Sequence, residues 1–242
     1  MSTVPTATLI KAVHRGLYDA WLFAFRAYDS PSASPKPEYV ATVLVGQRIV
    51  DDVFKGISKV SLTLEENVQR IASRCFADPL FPRVKRRLPS RKIGSKGERE
   101  RVDIAIQDDS VMGGPVRAVI ELKISAAVGG LRADLLRNQL LMEQTHTTKV
   151  NQLQVAQLGF VVVDDRSIGS LAGQSFETRL AKRYADLASK YVSASYTVNV
   201  SVETLQSVPG PEDEEFRHMV SVVITFFRSS TYGPGRLEFV AP

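Results

Sequence analysis

The sequence predicts an α/β protein, a mixed central sheet flanked by helices, on three observations. Amphipathic helical stretches alternate with short apolar runs in the order helices, two strands, helix, strand, helix, two strands, a sequence of elements that suits a layered α/β architecture. The apolar runs VDIAI, AVIELKI and LGFVVV have the length and β-branched content of strands in a packed sheet. The chain has 242 residues, 44% hydrophobic and 24% charged, enough to bury a core without disulfides or a structural metal.

The first helix is expected over 7–28, where Leu9, Val13, Leu17, Ala20, Trp21 and Ala24 recur at spacings of three and four. DSPSASPKP ends it, with three prolines and three serines in nine residues. Residues 1–30 are therefore set apart as an N-terminal helical extension, and 31–242 as one domain. A second helix begins at Pro37 and stops near Gly56. In LTLEENVQRIASRCF, Thr63 and Glu66 have the spacing of a capping box, which predicts a helix, with VSLTLEE as a short strand the alternative. A helix follows VIELKI, with Leu131, Leu135, Leu136 and Leu140 expected on one face and Asp134 with Arg137 as an i, i+3 ion pair. Another carries Phe176, Leu180, Tyr184, Leu187 and Tyr191, and SYTVNVSVETL and RHMVSVVITFFRSS are two further strands.

Charge is unevenly placed. The net charge is +5, but nine of the 31 Lys and Arg lie between Arg83 and Arg101, against Glu98 and Glu100. The basic character belongs to this segment, and Arg83, Lys85, Arg86, Arg87, Arg91, Lys92 and Lys96 are candidate phosphate-backbone contacts. It holds no aromatic residue, so contacts there would be to backbone rather than to stacked bases. A single Cys75 and the widely separated His14, His146 and His218 give no zinc-ligand spacing. The most hydrophobic early stretch is interrupted by Asp19 and Arg26, which argues against a signal peptide or a spanning helix and leads to the expectation of a cytoplasmic protein without membrane partners.

Residues 101–124, RVDIAIQDDSVMGGPVRAVIELKI, place charges within two apolar strands. Alternation puts Asp103 and Ala105 on one face and Val102, Ile104 and Ile106 on the other; in the second strand Val119, Glu121 and Lys123 share a face, with Ala118, Ile120 and Leu122 behind. A hairpin folded about Met112 sets Ile104 opposite Ile120 and Asp103 opposite Glu121. Two carboxylates so close repel each other unless a cation lies between them. Lys123 supplies part of that charge, and carboxylate pairs with an open side also suit Mg²⁺. The residues alone leave two readings open: an ordinary cross-strand ion pair with a solvated Glu121, or a metal site for phosphodiester hydrolysis.

Asp103 followed by Glu121-Leu122-Lys123 inside VIELKI, and then a helix, resembles the active-site pattern of the PD-(D/E)xK nuclease superfamily, whose fold is restriction-endonuclease-like. The likeness covers about residues 38–165, with Val102 where the superfamily's name has proline. It implies a restriction-endonuclease-like core, Mg²⁺ (or Mn²⁺) held by Asp103, Glu121 and the backbone carbonyl of Leu122, and Lys123 orienting the attacking water. Glu38 is the best match to a further acidic residue on the preceding helix, or else a first-turn glutamate favoured by the helix dipole. The function so implied is cleavage of nucleic acid, DNA ahead of RNA, in defence or within a mobile element, with a homodimer as one arrangement. The alternative is a nucleic-acid-binding or assembly protein that keeps the fold without cleavage.

Overall fold

The computed structural model describes residues 2–28, 38–68, 70–71, 101–109, 114–123, 128–145, 153–163, 175–209, 216–228 and 236–239. The basic segment up to residue 100 and the strand-end pair Asp164 and Asp165 lie outside the described residues. The elements are β1 (Ser2–Pro5), α1 (Thr6–Tyr28), α2 (Glu38–Arg48) continued by a π-helical turn (Ile49–Val53), β2 (Val60–Asn67), β3 (Arg101–Asp108), β4 (Val116–Lys123), α3 (Val128–Thr145), β5 (Val155–Val163), α4 (Phe176–Tyr191), β6 (Tyr196–Pro209), β7 (Phe216–Arg228) and β8 (Arg236–Phe239).

Six strands form one mixed sheet in the order β2-β3-β4-β5-β7-β6. Only β4 and β5 pair in parallel, and α3 makes the crossover between them; every other neighbouring pair is antiparallel. β1 and β8 pair separately as a two-stranded sheet. The sheet is thus flanked by helices on both faces, as expected from the alternation of elements.

Each face has its own apolar layer. On one, Ile104, Ile106, Ala118, Ile120 and Leu122 pack with Leu9, Val13, Leu17 and Trp21 of α1 and Ala41 and Val45 of α2. On the other, Ala105, Val119, Leu158 and Phe160 pack with Leu131 and Leu135 of α3 and Leu180 and Tyr184 of α4. The N-terminal helix therefore supplies much of one layer of the main core, because its stripe of Leu9, Val13, Leu17 and Trp21 is fully buried. α1 and α2 approach so closely that a Cβ added at Gly16 would fall 2.3 Å from the Cα of Val45. Between α1 and the sheet, His14 is buried and shared by Ser221 Oγ at 2.6 Å and Ser201 Oγ at 3.0 Å. Burial pushes its pKa down to about 4, so it is a neutral hydrogen-bonding residue of the core.

Four local readings are corrected. Residues 60–67 are a strand, so the Thr63–Glu66 spacing does not cap a helix; the apolar Leu62 and Leu64 pack against the core with α2, and strand pairing with β3 takes up the backbone. Leu136 is exposed, and the buried face of α3 runs instead through Leu131, Asp134, Leu135, Asn138, Leu141 and Met142. β5 begins at Val155, earlier than its most apolar run. Val102 packs with the α3 side rather than with Ile104. The β2–β3 ladder is interrupted between Leu64↔Ile104 and Glu66↔Val102, where Glu65 has a positive φ of 55°, and strict alternation fails at that break.

The close contact of α1 with α2 gives a stability prediction. Gly16→Ala drives a methyl group into backbone rather than a movable side chain, and is expected to cost about 1–3 kcal/mol in urea denaturation; unchanged stability would mean the two helices do not pack this tightly.

Candidate active site

The site lies where β3 and β4 stop pairing. Their register runs Ile104↔Ile120, Ala105↔Val119, Ile106↔Ala118, the hairpin register expected from alternation. The ladder ends at Ile104, and beyond it the backbone N–H of Leu122 donates to Asp103 Oδ2 at 2.6 Å. Asp103 is also where the β2 ladder breaks, opposite Glu65. A side chain thus takes the place of a main-chain partner, and that fixes the Asp103 carboxylate against β4.

From this point the charged groups link three elements. Glu121 of β4 is 1% exposed, and its Oε1 lies 2.5 Å from Arg137 Nη2 of α3. Arg137 also reaches Asp134 at 2.8 Å, one helical turn earlier. Asp134 in turn lies 3.5 Å from Lys123 Nζ, and the same ammonium lies 3.3 Å from Glu38 Oε1 at the start of α2. Glu38, the sequence candidate for a fourth member, therefore meets the site through Lys123. Asp103, Glu121, Lys123 and Glu38 are brought together across β3, β4 and α2, and the network adds Asp134 and Arg137, for which the sequence favoured an i, i+3 bridge over a D-x-x-R site pair. The i, i+3 bridge between Asp134 and Arg137 is present, and both partners also reach β4. Glu65 is a further neighbour that no sequence pattern indicated: it pairs with Arg101 at 3.9 Å and its charge acts on Asp103.

Burial sets the electrostatics. It pushes the Asp103 carboxyl up to about 6, against the opposing pull of the Leu122 N–H and the Lys123 ammonium. It pushes Glu121 up to about 8, although the Arg137 guanidinium works the other way. For Lys123, burial alone would lower the pKa, and the carboxylates of Asp134, Glu38 and Glu121 outweigh it, so the ammonium is held above its ordinary value. Four carboxylates, of Glu38, Asp103, Glu121 and Asp134, face two cations, Lys123 and Arg137. With every group ionised the cluster carries a charge of −2, and burial favours the protonated forms of Asp103 and Glu121. Among the described residues no group of three or more His, Cys, Asp or Glu side chains is placed to hold a metal ion.

Comparison with protein-family models, curated proteins and solved structures finds no match to this chain. Among the described residues no helix is long and apolar enough to cross a membrane.

The raised carboxyls give a pH prediction with a defined sign. Asp103 and Glu121 bind protons more tightly folded than unfolded, so the stability they contribute is present at about pH 4 and is lost as pH rises through 6 and 8. Urea denaturation in EDTA is expected to show declining stability from pH 5 to pH 8, with the upper part of the decline removed by Glu121→Gln. A Glu121→Gln protein that kept the full slope would place the titrating group elsewhere.

Proposed function

We propose that this protein is a divalent-metal-dependent nuclease of the PD-(D/E)xK type. The single observation that carries the reading is the convergence of Asp103, Glu121 and Lys123 at the end of the β3–β4 ladder, where four carboxylates meet two cations. That excess of carboxylates, and an all-oxygen donor set from two adjacent strands, suits Mg²⁺ or Mn²⁺, which bind through one or two carboxylates and keep several waters. Asp103, Glu121 and the carbonyl of Leu122 would hold the ion, which when bound polarises a phosphoryl oxygen and lowers the pKa of a coordinated water.

The chain's own residues supply the rest. The Leu122 N–H fixes Asp103, so the carboxylate is oriented before any substrate arrives. Arg137 offsets the burial of Glu121 and so favours its ionised, ligating form. Lys123, anchored between Glu38 and Asp134, is a cation on the face of Glu121, in place to orient the attacking water or to accept a phosphate oxygen. The basic segment leads directly into β3, and backbone contacts from Arg83, Lys85, Arg86, Arg87, Arg91, Lys92 and Lys96 would bring a phosphodiester to this position. A mixed sheet flanked by helices is in keeping with a restriction-endonuclease-like core. DNA is the favoured substrate, with two copies pairing where both strands are cut, in a cytoplasmic setting of defence or of a mobile element.

The test is cleavage of supercoiled, linear and single-stranded DNA and of RNA, with Mg²⁺, Mn²⁺ or EDTA. Metal-dependent cutting is expected, and Asp103→Asn and Lys123→Ala should each lower kcat by about a hundredfold or more while each variant still folds and unfolds cooperatively. Gel shift without metal-dependent cutting would favour a binding protein of the same fold. Neutralising Arg86 and Arg87 should weaken nucleic-acid binding and flatten its dependence on log salt by about one for each phosphate no longer neutralised; an unchanged slope would remove the basic segment from the interface.

A further inference from the structure

A cleft of about 460 Å³ lies between α1, the π-helical turn and β6. It is lined by Thr8, Lys11, Arg15, Asp52 and Glu203, every one of them polar or charged. β6 is the outer strand of the sheet, three places from β4, and none of the lining residues belongs to the cluster around Asp103, Glu121 and Lys123.

The packing explains why these side chains meet. Thr8, Lys11 and Arg15 recur at spacings of three and four, so they lie along one stripe of α1. Glu203 is opposite Ser221 in the β6–β7 ladder, and directly opposed residues share a face. Ser221 Oγ meets His14 of α1, so Glu203 is turned toward α1 as well. The same ring also meets Ser201 Oγ of β6, and Ser221 Oγ donates to the Glu203 carbonyl at 3.3 Å. The two walls are therefore tied together through His14, which stands between Lys11 and Arg15 in the chain, and the cleft is formed before any ligand arrives.

Charge indicates the ligand. Arg15 Nη1 donates to Asp52 Oδ2 at 3.0 Å, which occupies one of the five guanidinium donors. Lys11 and Glu203 face the same cleft without an ion pair between them. Burial raises the Glu203 carboxyl and the charges of Lys11 and Arg15 oppose it, so both cations act on it across the cleft. Two cations and two carboxylates leave no net charge. A simple anion drawn to Lys11 and Arg15 would be repelled by Asp52 and Glu203, and a simple cation would meet the reverse. The lining has no apolar or aromatic side chain to hold a hydrocarbon or stack a base.

We propose that this cleft binds a small polar zwitterion, a free amino acid, with its carboxylate on Lys11 and Arg15, its ammonium on Glu203 and the Thr8 hydroxyl as a further hydrogen-bond partner. Each end of such a ligand makes charge-assisted hydrogen bonds, the stronger kind. The site is independent of the nuclease reading.

The experiment is isothermal titration calorimetry of the full chain with a panel of L-amino acids, each up to about 10 mM, tenfold above a Kd of about 1 mM. Acetate, inorganic phosphate and methylammonium serve as single-charge probes, and Lys11→Gln and Glu203→Gln are titrated beside the wild type. Both positions are exposed, so both variants should keep the wild-type circular dichroism spectrum. At least one polar amino acid is expected to bind, about tenfold or more weaker in each variant, with no detectable binding of the single-charge probes. A panel in which none binds overturns the proposal, as does an amino acid that binds both variants as tightly as the wild type. Phosphate or acetate binding as tightly as the best amino acid overturns it too, since the cleft would then be an anion site. Should one variant fail to fold, the affinity of the other decides.

Discussion

The hydrogen bond from the Leu122 N–H to Asp103 is the constraint on which the rest of the site depends. In an antiparallel pair each backbone N–H seeks a carbonyl, and a carboxylate that takes its place ends the ladder and is itself held in place. Because Ile104 and Ile120 are opposed immediately before this point, their side chains are committed to the layer under α1 and α2. Glu121, the next residue of β4, then falls on the opposite side, while Asp103 lies beyond the last paired residue of β3. Both faces carry an apolar layer, and the charges converge where the paired register ends, at Asp103 beside Leu122.

That convergence runs against stability. Asp103 and Glu121 are both raised well above the ordinary carboxyl range by burial, and a third and fourth carboxylate arrive from α2 and α3. Buried charge clusters seldom add net stability. The arrangement is explained more readily by chemistry than by packing: perturbed carboxyls beside a cation at a strand end are a frequent mark of functional sites. Arg137 and Lys123 make the cluster tolerable, and because each is shared between two carboxylates, breaking one bridge leaves the other in place.

Much of this was legible in the sequence, and for identifiable reasons. The period-2 pattern of VDIAI and AVIELKI was enough to give the register from Ile104↔Ile120 to Ile106↔Ala118, whereas the expected Asp103–Glu121 pair lies past the end of the ladder, the register shifts after Ile106, and Val102 turns to the other layer. The long helices were legible from their apolar stripes. β2 was misread, since the spacing of Thr63 and Glu66 satisfies a capping box as well as it satisfies a strand, and only pairing with β3 decides between them. Leu136 was assigned to the buried face of α3 because hydropathy treats Asp134 and Asn138 as surface residues, whereas both are buried. Nothing local to Glu65 marks it: its place follows from a ladder break, which is a tertiary fact.

The most direct test is the position of a bound ion. Crystals grown with Mn²⁺ should show an anomalous-scattering peak between the carboxylates of Asp103 and Glu121 and beside the Leu122 carbonyl, with Asp134 still bridging Arg137 and Lys123. A well-diffracting crystal with no peak there, and with Arg137 remaining the partner of Glu121 at saturating Mn²⁺, would contradict the account.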